Sequence, residues 1–110
     1  MSRAAEIALE RRIVAGLIAH VERAGFKLHS VFDGEKTTRT RDAKSAMELI
    51  FNLDEASLRF FKSERFAAGW HGVLLVLGNG EDIVSDWNYF ADDRDGFNAA
   101  MDAFNVEQFL

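Results

Sequence analysis

Apolar positions along the chain change their period several times, and each change marks an element. Across residues 2–24, Val14, Leu17, Ile18 and Val21 recur at i, i+3, i+4 and i+7, while Glu10, Arg11, Glu22 and Arg23 fall off that stripe. This predicts an amphipathic helix with Ser2 as its N-cap and Gly25 as its left-handed stop. Phe26, Leu28, Ser30 and Phe32 then alternate with Lys27, His29 and Val31, the period of a strand. Asp33-Gly34 supplies a tight turn, because glycine takes positive φ without steric cost, and residues 35–40 are the expected return strand of a hairpin. Thr40 or Asp42 is placed to cap a second helix running to about Asn52, with Ala43, Ala46, Met47 and Ile50 on its buried stripe.

In residues 56–62, Leu58 and Phe60 alternate with Arg59 and Phe61, giving a third strand before a loop over 63–69. The run 70–77 contains Val73-Leu74-Leu75-Val76-Leu77, apolar in both phases, which predicts a central strand covered on both sides. Gly78-Asn79-Gly80 is a turn, residues 83–87 a short strand, and Asp92 or Asp93 the cap of a last helix carrying Phe97, Ala100, Met101 and Phe104. The order is α-β-β-α-β-β-β-α. Short turns between strands imply an antiparallel sheet of four to five strands, and amphipathic helices need a face to lie on. The expected fold is therefore α+β, a two-layer sandwich forming one domain over residues 1–110.

Composition adds constraints. Nearly half the residues are hydrophobic and ten are Phe, enough for one core, and there is no proline. With no cysteine, disulfides, thiolate metal sites and cysteine nucleophiles are excluded. The apolar run from Ile13 to Ala19 is far too short to span a bilayer, which needs about 20 residues, and no signal peptide is evident. A cytoplasmic protein without membrane attachment is expected.

Charge is the most informative feature. Residues 79–110 hold eight carboxylates against one base, Arg94, a formal −7, whereas residues 1–78 hold twelve bases and ten acids. A dense field of one sign selects partners of the other. Carboxylates also invite metal, and with Gly96 in the sixth position of a calcium loop, Asp93, Asp95 and Asp102 fall third, fifth and twelfth. The first position is Ala91, however, and complementing a helix dipole explains these acids without an ion. His20, His29 and His71 lie on separate elements, and a Ser85, His71 and Asp86 combination lacks any positioning motif. A phosphate cradle at Gly78–Gly80 is opposed by Glu81 and Asp82. Lys36, Arg39, Arg41 and Lys44 form a basic cluster, but three nearby acids and a net charge of −5 favour a solvated face over direct contact with nucleic acid.

The segment from Gly78 to Trp87, preceded by Val73 to Leu77, resembles small proteins encoded by bacterial phages, plasmids and other mobile elements, mainly over residues 47–87. In size, acidity and lack of cysteine the chain is also similar to anti-defence inhibitors, including anti-CRISPR proteins, which implies inhibition by binding. The expectation is a non-catalytic module without a cofactor, whose acidic face engages a basic, nucleic-acid-handling protein. Asp82, Asp86, Asp92, Asp93 and Asp95 would pair charges there, with Trp87 as apolar anchor. The competing class is a small metal-dependent hydrolase using the same carboxylates.

Overall fold

The computed structural model describes residues 2–62, 69–89 and 96–110. Helix α1 (Arg3–Arg23) leads into β1 (Lys27–Phe32), β2 (Thr37–Arg39), α2 (Ala43–Ile50), β3 (Glu55–Phe61), β4 (His71–Val76), β5 (Val84–Tyr89) and α3 (Phe97–Ala103). The fold is α+β in the expected order. Local chemistry sets the helix ends: the Ser2 hydroxyl accepts the Ala5 N–H at 3.1 Å, Gly25 turns the chain out of α1 at φ 100°, and the Asp42 side chain accepts the Lys44 N–H at the start of α2.

The strands form one antiparallel sheet in the order β2-β1-β3-β4-β5. Leu28 and Val31 of β1, Ala56, Leu58 and Phe60 of β3, and Val73 and Leu75 of β4 are buried in a single cluster with Ile13, Val14, Leu17, Ile18 and Val21 of α1. Ala46 and Ile50 of α2 and Phe97 and Met101 of α3 complete it. Each fully buried large apolar side chain contributes about 1.5–3 kcal/mol, so this one-sided cluster is the main stabilising element.

Several expectations change on this scaffold. The alternation does not run unbroken through β1: Leu28 pairs with Phe60 and Ser30 with Arg59, which leaves His29 as the extra residue of a bulge. The bulge shifts the phase, so Val31 joins Leu28 in the core while Ser30 and Phe32 face the other side. The return strand shrinks to Thr37–Arg39 because the Asp33 carboxylate accepts the N–H groups of both Glu35 and Lys36, at 2.8 and 2.7 Å, and holds them in the loop. β4 is central, yet the core covers one of its faces only, and Leu74 and Val76 remain half-buried on the other. Helix α3 starts at Phe97 behind Gly96, which has φ 85° and gives no side-chain cap. Asp92 and Asp93 are thus not its cap, and both lie outside the described residues.

The turn between β4 and β5 is held from the opposite end of the sequence. Glu10 of α1 is 2% exposed, and its carboxylate accepts the Gly78 N–H at 3.0 Å and the Gly80 N–H at 2.7 Å. A buried carboxylate needs donors and buried amides need acceptors, so each satisfies the other. Removing the acceptor strands two donors: Glu10→Ala is expected to lower unfolding free energy by about 3 kcal/mol, and Glu10→Gln by less. Urea denaturation of the two variants checks this.

Candidate interaction face

The bulge, the register and the one-sided core leave a second sheet face on which no described helix packs. Cross-strand pairing assigns its positions. Thr37 sits beside Phe32, which sits beside Ser57, then Leu74, then Asp86; one step along, Arg39, Ser30, Arg59 and Gly72 follow one another. Basic and aromatic groups therefore occupy the β2-β1-β3 side, and a carboxylate occupies β5.

Arg59 is the centre of this face. Its guanidinium carbon lies 4.5 Å from the centroid of the Phe32 ring and 4.2 Å from that of Trp70, and Nη1 donates to the Thr37 hydroxyl at 3.2 Å. Its Nε is buried and has no hydrogen-bond partner among the described residues. Burial lowers the Arg59 pKa, but from so high a value that the group stays charged. The missing side chain at Gly72 makes room for the tryptophan: a Cβ there would stand 3.1 Å from the Trp70 ring. The bulged His29 packs edge-on to Phe61, with centroids 4.7 Å apart, and its Nδ1 lies 3.0 Å from the Ser30 hydroxyl. Its pKa is lowered, first by burial and then by the positive charges of Arg39, Arg41 and Arg59.

Of the acidic residues singled out in the sequence, the two that are described lie on different elements, Asp82 in the turn before β5 and Asp86 within it. Asp86 is exposed on this open face, its carboxylate accepting the N–H of Trp87 at 2.8 Å. Trp87 is the next residue in the strand and faces the other way. It is half-buried against the core, and its indole N–H donates to the Asn98 side chain at 2.8 Å, tying β5 to α3. Trp87 thus works between the layers. Asp82 is exposed in the 3-10 turn Gly80–Asp82, which packs near α1. Asp92, Asp93 and Asp95 lie outside the described residues.

The remaining candidates resolve into structural roles. The amides of Gly78 and Gly80, considered as a phosphate cradle, already hold the Glu10 carboxylate. His71 is 1% exposed, stacked on Phe97 at 4.4 Å on the core side, and so cannot meet Asp86 across the sheet. His20 Nε2 lies 2.7 Å from the Ala100 carbonyl and helps seat α3. Among the described residues no three His, Asp or Glu side chains group closely enough to hold a metal ion. A groove of about 410 Å³ beside α1 is lined by Arg3, Glu6, Arg11, Phe51 and Asp54, a mixture of signs that selects no ligand class.

Arg59 and Trp70 were the residues hardest to single out from sequence. The available signal was the alternation in β3, which puts Arg59 and Phe61 together opposite the Leu58–Phe60 side, and the small Gly72 two residues after Trp70. No known protein family, curated protein or solved structure matches the chain.

His29 gives the face a pH signature. Because the fold depresses its pKa below the ordinary 6.5, the unfolded chain takes up the proton first on acidification. This contribution to stability is present in full above pH 6.5 and is lost as pH falls through the lower folded-state pKa. Urea denaturation across that window should show stability declining with acid, and His29→Gln should flatten the decline. An identical decline in both proteins would assign it to other groups.

Proposed function

We propose that this chain is a non-catalytic interaction module whose acidic C-terminal side binds a basic, nucleic-acid-handling protein in the cytoplasm, in its most specific form as an anti-defence inhibitor carried by a phage or other mobile element. The observation that supports this reading is the separation of charge across one sheet. Arg39 lies on the strand at one end of the sheet order and Asp86 on the strand at the other, with Glu81 and Asp82 exposed just before it. Among the described residues, these charges of opposite sign lie toward opposite ends of the sheet.

The geometry of β5 suits an extended basic segment. It is the last strand in the sheet order, and among the described residues nothing pairs with its outer edge. Such an edge offers a row of backbone donors and acceptors to an added strand. Carboxylates at its start and on its open side would draw Lys or Arg side chains and raise the association rate, an effect that salt screens.

Two measurements test the proposal. In an affinity capture from bacterial lysate, a basic partner should bind the parent protein, weaken at high salt, and be lost when Asp82, Asp86, Asp92 and Asp93 are all changed to Lys. Equal recovery by both proteins would sink the acidic-side reading. Titration with Mg²⁺, Mn²⁺ or Ca²⁺ while following thermal unfolding separates the hydrolase alternative: a site filled to a hundred times its Kd stabilises by about 2.7 kcal/mol, a shift of several degrees. The binding reading predicts no shift.

A further inference from the structure

The segment that follows α3 docks on α1 through a single aromatic side chain. We propose that residues 104–110 form a releasable latch: Phe109 plugs a socket at Gly16, the segment comes away as a unit, and the open socket takes an aromatic side chain presented by another peptide segment. None of the carboxylates assigned to partner binding takes part, so this proposal and the acidic-side reading can fail separately.

The socket is built at a cost to the helix. Gly16 lies inside α1 with no positive φ, at a position where glycine is the poorest residue after proline. Its purpose lies outside the helix, because a Cβ at this position would collide with the ring of Phe109 at Cζ and Cε1. The missing side chain leaves a hollow, and the ring fills it. Arg12 and His20 stand one turn to either side of Gly16. Arg12 Nη2 donates to the Phe109 carbonyl at 3.5 Å, and the His20 ring packs on Phe104 with centroids 5.4 Å apart. Phe104 in turn meets Phe109 at 5.9 Å, so the plug has a floor, a wall and one polar tether.

The segment is ordered within itself and lightly held from outside. The Asn105 side chain accepts the Glu107 N–H at 3.0 Å, the Gln108 side-chain amide donates to the Asn105 carbonyl at 2.8 Å, and the Leu110 N–H donates to the Glu107 carbonyl at 3.1 Å. These bonds close Val106–Phe109 into a 3-10 turn and travel with the segment. Among the described residues, one hydrogen bond joins residues 105–110 to α1, the long one from Arg12; the half-buried side chains of Val106 and Phe109 at the edge of the core supply the rest of the attachment. Phe104 and Asn105, both extended, are the hinge between α3 and the turn. Undocking therefore breaks little besides apolar contact, the profile of a unit that opens at less cost than global unfolding. The socket recognises a ring and one backbone carbonyl, and any peptide segment with an aromatic residue carries both.

Nuclear magnetic resonance of the full chain reads both states. The Gly16 amide should carry the ring-current shift of Phe109, and Phe109→Ala should remove it. A peptide with the sequence of residues 104–110, added in millimolar excess to the Phe109→Ala protein, should move the Gly16 signal back toward its parent position. The same peptide with alanine for its final phenylalanine should not. Gly16→Leu, a good helix former that fills the socket from within, should abolish the response while the core amides keep their protection from hydrogen exchange. In the parent, the Glu107 and Leu110 amides should be protected, but about tenfold or more below those of Leu17 and Leu58. Phe109→Ala should lower their protection by a further ten- to hundredfold or about that and leave Leu17 and Leu58 unchanged. Exchange of the segment in step with the core in the parent, equal loss of protection in both on Phe109→Ala, or a Gly16 signal indifferent to the peptide would each overturn the proposal.

Discussion

Three helices lie against a five-stranded sheet, and they can bury only one of its faces. That constraint governs the rest of the molecule. The stripe on α1, with Ile13, Val14 and Leu17 wholly inaccessible, commits the core to the side bearing Leu58, Phe60, Val73 and Leu75. Every residue of opposite phase is then delivered to the second face, whatever its chemistry. Arg59 is there because Leu58 and Phe60 are not, and its position between two rings is how a strand with a cation in mid-sheet shields its stem without losing its charge.

The bulge in β1 is the adjustment that makes this work. Without it Ser30 and Phe32 would compete for the core while Val31 faced outward. With it, an aliphatic side chain joins the core, and a serine, a histidine and a phenylalanine share the second face with Arg59, the serine fully buried there. A local irregularity of one residue therefore sets the composition of a whole surface. At the opposite end of the sheet, Glu10 plays a comparable part, fixing the β4–β5 turn from a helix many residues earlier in the chain, next to the strand that carries Asp86.

These features show where sequence reasoning reaches and where it stops. The Ser2 cap, the Gly25 stop, the stripe from Val14 to Val21 and the Asp42 start of α2 were legible, because each is decided within one or two turns of chain. The phase slip in β1 was not, since a bulge is defined by the strand opposite. Trp87 is expected from sequence as a surface anchor, and its place between the layers depends on Asn98, a partner that only the fold brings beside it. Glu10 looked like one more polar residue off the helix stripe, and nothing near it in sequence announces the two amides it binds. For the open face, Arg39 was visible as part of a basic run, while its pairing through Ser30 with Arg59 is a property of register alone.

Strand neighbours in this sheet are also mostly neighbours in sequence: β1 with β2, β3 with β4, and β4 with β5 each pair across a single connection, and only β1 with β3 must close over an intervening hairpin strand and helix. Such topologies require little search, because small loops close before large ones and each step prepares the next. The chain contains no proline, so no slow prolyl isomerisation interrupts the sequence of events. A protein assembled this way would reach its working form soon after synthesis, with the pairing of β1 and β3 over α2 as the step that sets the pace.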